Sequence, residues 1–165
     1  MATFTIRHEI DCTPEKFWEL FFDLELQKKI FSELQFPKWE VVEQKETDTE
    51  IVRIVDAIPK FDAPAAVTKA LGSSFGYREE GRFDKASKVY RFVVKPSVMA
   101  DKLRNEGTVR CEPSGPDKCI RIVEVTAEAK IFGIGGMIEK MYEKGTREGW
   151  EKGAQLTNAR LKGGG

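Results

Sequence analysis

The feature that most limits the fold of this chain is the order of its segments, in which strands follow one another with short connections and one long helix comes last. Apolar residues alternate every second position in some stretches, which is typical of half-buried strands. In others they recur every third or fourth position, which is typical of amphipathic helices. Consecutive strands with short connections pair antiparallel, because parallel strands need a long crossover. The sequence therefore predicts an α+β architecture with the last helix packed on an antiparallel sheet.

The predicted strands cover residues 3–11, 38–46, 50–58, 75–84, 88–96, 103–112 and 118–129. Two short helices are predicted after the first strand. Thr13 suits the N-cap of the first of these helices and Pro14 its first position, and the helix continues to residue 22. Asp23 caps the second short helix, which ends near residue 33. The last helix is predicted over 134–161, and a short helix or compact loop is expected near 65–71.

Composition excludes several classes of function. Hydrophobic residues make up 41% of the chain and charged residues 33%, with 27 basic and 27 acidic side chains, so nothing indicates a nucleic acid partner. Neither a membrane span nor a signal peptide is evident, and we expect a cytoplasmic protein. We expect one domain over 1–162, a flexible tail over 163–165, and a monomer or weak dimer. Contact with a membrane or a partner protein would be transient.

The cysteines and the single histidine predict neither a metal site nor another cofactor. The count of three cysteines is odd, and no pair has Cys-x-x-Cys spacing. If Glu112 pairs with Lys118, Cys111 and Cys119 face each other on neighbouring strands and a disulfide is conceivable. In a reducing compartment, two buried thiols are the favoured interpretation.

Three stretches carry a resemblance to a known superfamily. They are the block Phe4–Phe22 with its Thr13–Trp18 helix start, the closing helix start Gly135–Lys140, and the central stretch Ile58–Gly72. With the segment order, they resemble the superfamily of the major birch pollen allergen, the START domains and the polyketide cyclases. The central stretch looks like a less characterised bacterial branch. The glycine-rich loop of the plant members is absent between residues 38 and 58, which argues against the plant branch.

The resemblance implies a helix-grip fold, in which a curved antiparallel sheet of about seven strands wraps around the long C-terminal helix. A curved sheet and a straight helix leave a gap, and we expect this gap to be a ligand cavity. Strand alternation places one set of candidate ligand-binding residues inside: His8, Tyr77, Glu79, Tyr90, Phe92, Asn105 and Arg121. The last helix adds Ile134, Met137, Ile138, Met141, Tyr142 and Gly145.

The inward polar groups and the glycines of the last helix each allow two interpretations. His8, Glu79, Asn105 and Arg121 either orient a ligand or are satisfied within the protein, with Glu79 and Arg121 at the rim or paired together. Gly145, Gly149 and Gly153 recur at every fourth position and indicate either room for a ligand or close helix packing. Trp150 falls on the opposite side of the helix unless a kink rotates it inward.

The leading functional hypothesis is noncatalytic binding or transport of a hydrophobic small molecule such as a lipid, sterol-like compound, quinone or polyketide. The first alternative is a cyclase or aromatase with His8 or Glu79 as general acid or base. It is less favoured, because no nucleophile, base and orienting residue stand together. The second alternative is a protein-interaction module with a filled core, such as a chaperone regulator. Pro59–Leu71 is a candidate lid over one mouth of the cavity.

Overall fold

The computed structural model describes residues 1–60, 62–73 and 75–163, and its elements follow the predicted order. Of the expected flexible tail, Gly164 and Gly165 lie outside the described residues. The strands are β1 (Ala2–Ile10), β2 (Lys38–Glu46), β3 (Glu50–Ile58), β4 (Tyr77–Asp84), β5 (Val89–Pro96), β6 (Leu103–Pro113) and β7 (Cys119–Ala129). The helices are α1 (Pro14–Phe21), α2 (Leu24–Glu33), α3 (Ala65–Leu71) and α4 (Gly135–Leu161).

The two helices after β1 begin at the predicted caps. The Thr13 hydroxyl accepts a hydrogen bond from the backbone N–H of Lys16, and the Asp23 carboxylate accepts two from Glu25 and Leu26. Each cap satisfies donors that the first turn of a helix leaves unpaired. The aromatic face of α1 is thereby directed onto the sheet, where it contributes the rings of Phe17, Trp18, Phe21 and Phe22.

All seven strands form one antiparallel sheet in the order β1-β7-β6-β5-β4-β3-β2. This sheet and the long closing helix confirm the predicted helix-grip architecture. The predicted register of β4 and β5 is confirmed, with Phe83 opposite Tyr90. The register proposed for β6 and β7 is wrong, because Cys111 lies opposite Arg121 and Cys119 opposite Pro113. The connection over 114–118 has the predicted length but lies one residue later in the chain, and it turns at Gly115, whose φ of +90° suits glycine.

Two glycines of the sheet lie beneath aromatic rings. A Cβ on Gly81 would overlap the Tyr90 ring, and a Cβ on Gly107 would come within 2.7 Å of the Phe92 ring. Glycine at both positions lets these rings lie flat against the neighbouring strands. The rings of Tyr90 and Phe21 meet edge to face at 4.9 Å, which ties α1 to the middle of the sheet.

Helix α4 packs against β1, β7 and α2, so the concave face of β3–β6 remains largely uncovered by it. The predicted inward face of α4 is displaced by roughly a quarter turn at 100° per residue. Gly153, Ala154 and Thr157 are buried, and Trp150 packs against the core instead of projecting to the opposite side. Because α4 covers one edge of the sheet, its Gly145 side faces the gap and its Trp150 side faces β1 and β7.

Candidate functional site

A cavity of about 570 Å³ lies between the uncovered part of the sheet and helix α4. Its walls come from strands β2 to β7 and from all four helices, and most of the lining side chains are apolar. This volume falls within the range of small-molecule sites. The gap that the helix-grip geometry implies is therefore open space in this chain.

Most of the candidate residues from the sequence line this cavity. They are Tyr77, Glu79, Tyr90, Phe92, Asn105, Arg121, Ile138, Met141, Tyr142 and Gly145. They come from five elements far apart in the sequence, which the strand register brings together. Gly145 has nothing within 4 Å of the position a Cβ would take, so the helix leaves open space at that point.

The other three candidates lie outside the cavity wall. His8 points toward the interior but is held by Arg121, whose Nη2 lies 2.9 Å from its Nδ1. Ile134 precedes α4 as its N-cap and packs against a separate cluster near α3. Met137 is 43% exposed on the first turn of α4, because the face of the helix is rotated from the prediction.

Many lining residues were missed from the sequence, and the two that matter most for the chemistry are Arg53 on β3 and Trp150 on α4. Arg53 is only 4% exposed, and its Nη1 donates a hydrogen bond to the carbonyl oxygen of Phe21 at 2.9 Å. Its guanidinium lies 4.6 Å from the centre of the Phe21 ring. Arg53 therefore links the C-terminal end of α1 to the sheet and presents a positive charge to the cavity.

Glu79, Tyr77, Asn105 and Tyr142 form a polar patch on the cavity wall, here called the Glu79 patch. Glu79 is opposite Val94, and Val94 is opposite Asn105, so both polar side chains stand in one row across the sheet. Tyr142 of α4 lies beside Asn105, and burial raises the pKa of Tyr142 to about 12. The patch places hydrogen-bonding groups from the sheet and the helix around one part of the cavity.

Two groups of the Glu79 patch lack partners that would satisfy them. The Oδ1 atom of Asn105 is buried without a hydrogen bond among the described residues. Burial raises the pKa of Glu79, while the positive charge of Arg53 acts in the opposite direction. No ion pair forms between these two side chains within the described part of the chain, so the Glu79 carboxyl is free to take up a proton or face a ligand.

A second polar position lies at Arg121, toward the C-terminal half of α4. Its Nη2 donates to the backbone carbonyl of Trp150 at 2.7 Å, and its guanidinium lies 4.8 Å from the centre of the Trp150 ring. Glu79 and Arg121 do not pair, since Arg121 aligns with Cys111 and Glu79 with Val94. The cavity thus has charged groups of opposite sign at separate places.

The exposed part of the cavity wall marks a mouth. Lys60 and Asp62 follow β3 on one side, and Lys144 and Glu148 of α4 stand on the other. The Nζ of Lys60 donates to the side chain of Gln35 at 2.7 Å, which joins the segment after β3 to the end of α2. The described part of the proposed lid over Pro59–Leu71 therefore borders the mouth, while Phe61 lies outside the described residues, and movement of the lid stays a prediction.

The cysteines are free thiols in this structure. Cys119 contacts both Cys12 and Cys111, and burial raises the pKa of Cys12 to about 12. Protonated thiols are poor nucleophiles and poor metal ligands. No group of three or more suitable side chains that would hold a metal ion occurs among the described residues.

Solved structures with the same fold include proteins of several kinds. A protein from Thermus thermophilus, TTHA0849, is 22% identical over 98% of both chains, with a TM-score of 0.69. A START superfamily protein from Mycobacterium smegmatis is 15% identical over 97% of both chains, with a TM-score of 0.62. The Zhui aromatase/cyclase from Streptomyces sp. R1128 is 14% identical over 97% of this chain and 96% of its own, with a TM-score of 0.63. These likenesses confirm the START-like fold.

No curated protein matches the sequence. Among the described residues, no helix has both the length and the apolar character needed to cross a bilayer. One family model, described as "Protein of unknown function (DUF2505)", matches residues 5–161. Since this match covers almost the whole chain, the protein belongs to the DUF2505 family, and within it this chain has the START-like helix-grip fold.

Proposed function

We propose that this protein binds a hydrophobic small molecule in the cavity between the sheet and α4, and carries it without changing it. The observation that supports this most strongly is the cavity itself, with its volume of about 570 Å³ and its largely apolar wall. Buried apolar surface supplies most of the affinity in such sites, and a few polar groups fix the orientation. The candidate lining residues named from the sequence would supply these contacts.

An interaction module with a filled core is not favoured by this geometry. Such a module needs close packing between helix and sheet, yet the glycines of α4 that line the cavity face open space or ordinary contacts. Gly149 has only Leu34 near the position of a Cβ, at 3.8 Å. Adding large side chains at that position would fill space that a ligand needs.

A dye-binding experiment tests the carrier proposal. Nile red, a neutral hydrophobic dye, should bind the wild-type protein with a rise in fluorescence and one dye per chain. Gly149→Leu should weaken this binding at least about tenfold, because the new side chain enters the cavity. Gly136→Leu is the matched control, since Gly136 lies on the same helix outside the cavity wall. Equal dye binding by both variants and the wild type would contradict the proposal.

One observation favours an enzyme as the second candidate. Glu79 is a half-buried carboxyl in the wall of a ligand-sized cavity, and burial raises its pKa, as suits a general acid or base. It would move a proton on a bound carbonyl compound while Tyr77 and Tyr142 orient it. Replacing Glu79 by Gln separates the candidates: turnover of such a compound should fall at least about 100-fold in an enzyme, whereas a carrier should keep most of its ligand affinity.

A further inference from the structure

Arg121 is a buried cation with unused hydrogen-bond donors. It is 3% exposed, and both of its hydrogen bonds come from Nη2, to His8 and to the carbonyl of Trp150. Its Nε atom is buried without a partner among the described residues, and Nη1 makes no hydrogen bond to them either. Since Arg121 lines the cavity, these free donors lie at or near its wall.

No negative charge in the surrounding structure balances Arg121. Within the described part of the chain, no carboxylate lies within the 4 Å of an ion pair, and His8 is a neutral neighbour because burial and Arg121 lower its pKa. The Cys119 thiol nearby stays protonated, since its pKa is raised. Burial lowers the pKa of Arg121 to about 10, so the guanidinium still carries its charge at neutral pH. An uncompensated buried charge is unfavourable.

Glu79 does not compensate this charge from across the cavity. Glu79 pairs with Val94, which in turn pairs with Asn105, so Glu79 lies level with Asn105 across the sheet. Arg121 pairs with Cys111 and lies level with that residue. About six residues of β6 separate Asn105 from Cys111, which is about 20 Å along the strand. Glu79 can also become neutral by taking up a proton, an option that arginine lacks. Glu79 therefore leaves the charge of Arg121 unbalanced.

Arg121 lines the cavity beside two glycines of α4, Gly149 and Gly153. Its Nη1 lies 3.9 Å from the position a Cβ would take on Gly153, which is an ordinary contact distance, so the guanidinium reaches the backbone of α4. One turn earlier, Gly149 lines the cavity and has only Leu34 near the position of a Cβ, at 3.8 Å. The ring of Trp150 covers the other side of the guanidinium. A ligand group would therefore approach the guanidinium from within the cavity, on the side of Gly149.

We propose that the ligand is an amphipathic anion, with an apolar body in the cavity and a carboxylate head group that accepts hydrogen bonds from Arg121. This inference rests on the carrier function proposed above and specifies the class of its ligand. The head group would supply the missing negative charge, since charge-assisted hydrogen bonds between arginine and a carboxylate are the strong ones.

Comparing a fatty acid with its ester tests this inference. The probes are cis-parinaric acid, which is fluorescent, and its methyl ester, which has the same chain without the charge. The wild-type protein should bind the acid at least about tenfold more tightly than the ester. Arg121→Met should remove this preference by weakening the acid about 10- to 100-fold while leaving the ester nearly unchanged, and Arg121→Lys should keep part of it.

The controls distinguish failure of this inference from failure of the carrier proposal. Arg147→Met removes an arginine of α4 outside the cavity wall and should leave the acid-to-ester ratio unchanged. Equal affinity of the wild type for acid and ester overturns the anionic head group, as does an equal loss of both in Arg121→Met. If Nile red binds and neither probe does, the head group is wrong and the carrier stands. If nothing binds, both proposals fail.

Discussion

Replacing the glycines that face the gap with alanine should make the protein more stable. Each glycine inside a helix costs about 1 kcal/mol relative to alanine. A Cβ on Gly145 meets nothing within 4 Å, and one on Gly149 meets only Leu34 at an ordinary 3.8 Å. Without any clash to offset the gain, the double variant should raise the free energy of unfolding by about 1–2 kcal/mol. For a chain of this size, that corresponds to a rise in Tm of roughly 3–6 °C.

Urea unfolding and thermal unfolding followed by circular dichroism measure this change. Gly81→Ala is the contrasting variant, because its Cβ would overlap the ring of Tyr90 and should destabilise the protein by about 1–3 kcal/mol. A loss of stability in the Gly145/Gly149 double variant would refute the reasoning, since it would mean that α4 packs closely on another part of the protein at those positions.

Three further predictions concern single side chains. Burial raises the pKa of Glu79 above the ordinary 4.5, so the folded state holds its proton at higher pH than the unfolded state. The free energy of unfolding should then fall as pH rises from about 4.5, and this fall should be smaller in the Glu79→Gln variant. Urea unfolding measured across this pH range checks it, and the same pH dependence in both proteins would contradict the prediction. Asp23→Ala removes the cap of α2 and should cost about 1 kcal/mol in urea unfolding, whereas Asp23→Asn should keep most of it. Cys12 and Cys119 should react with a thiol reagent only after denaturation, because both are buried; rapid labelling of the native protein would count against their placement.

The element boundaries were accessible from the sequence because local chemistry determines them. Thr13 and Asp23 cap α1 and α2 where expected, and the polar turn over 47–49 separates β2 from β3. The register of β6 and β7 was not accessible in the same way. A shift by two residues keeps every side chain on its face, so alternation leaves the partner of Cys111 open. The position of the turn around Gly115 decides it, because the connection lies one residue later in the chain than predicted.

The site was predicted where one face of a strand is clearly polar, and missed where it is not. On β4, charged residues alternate with Tyr77 and Glu79, which identifies the inner face. On β3, both faces carry apolar side chains, including Val52 and Ile54 on the outer one, so Arg53 gave no sign of pointing inward. The rotation of α4 depends on its tertiary contacts with β1 and β7, which helical periodicity does not contain. Trp150 was misplaced for this reason.

Native mass spectrometry of the protein purified from the organism that makes it tests the central claim most directly. We predict a species heavier than the free chain by the mass of one apolar molecule, which organic extraction releases and which the Gly149→Leu variant fails to retain. Recovery of the free chain alone, under spray conditions that preserve a complex with added Nile red, would contradict the claim that this cavity carries a hydrophobic ligand.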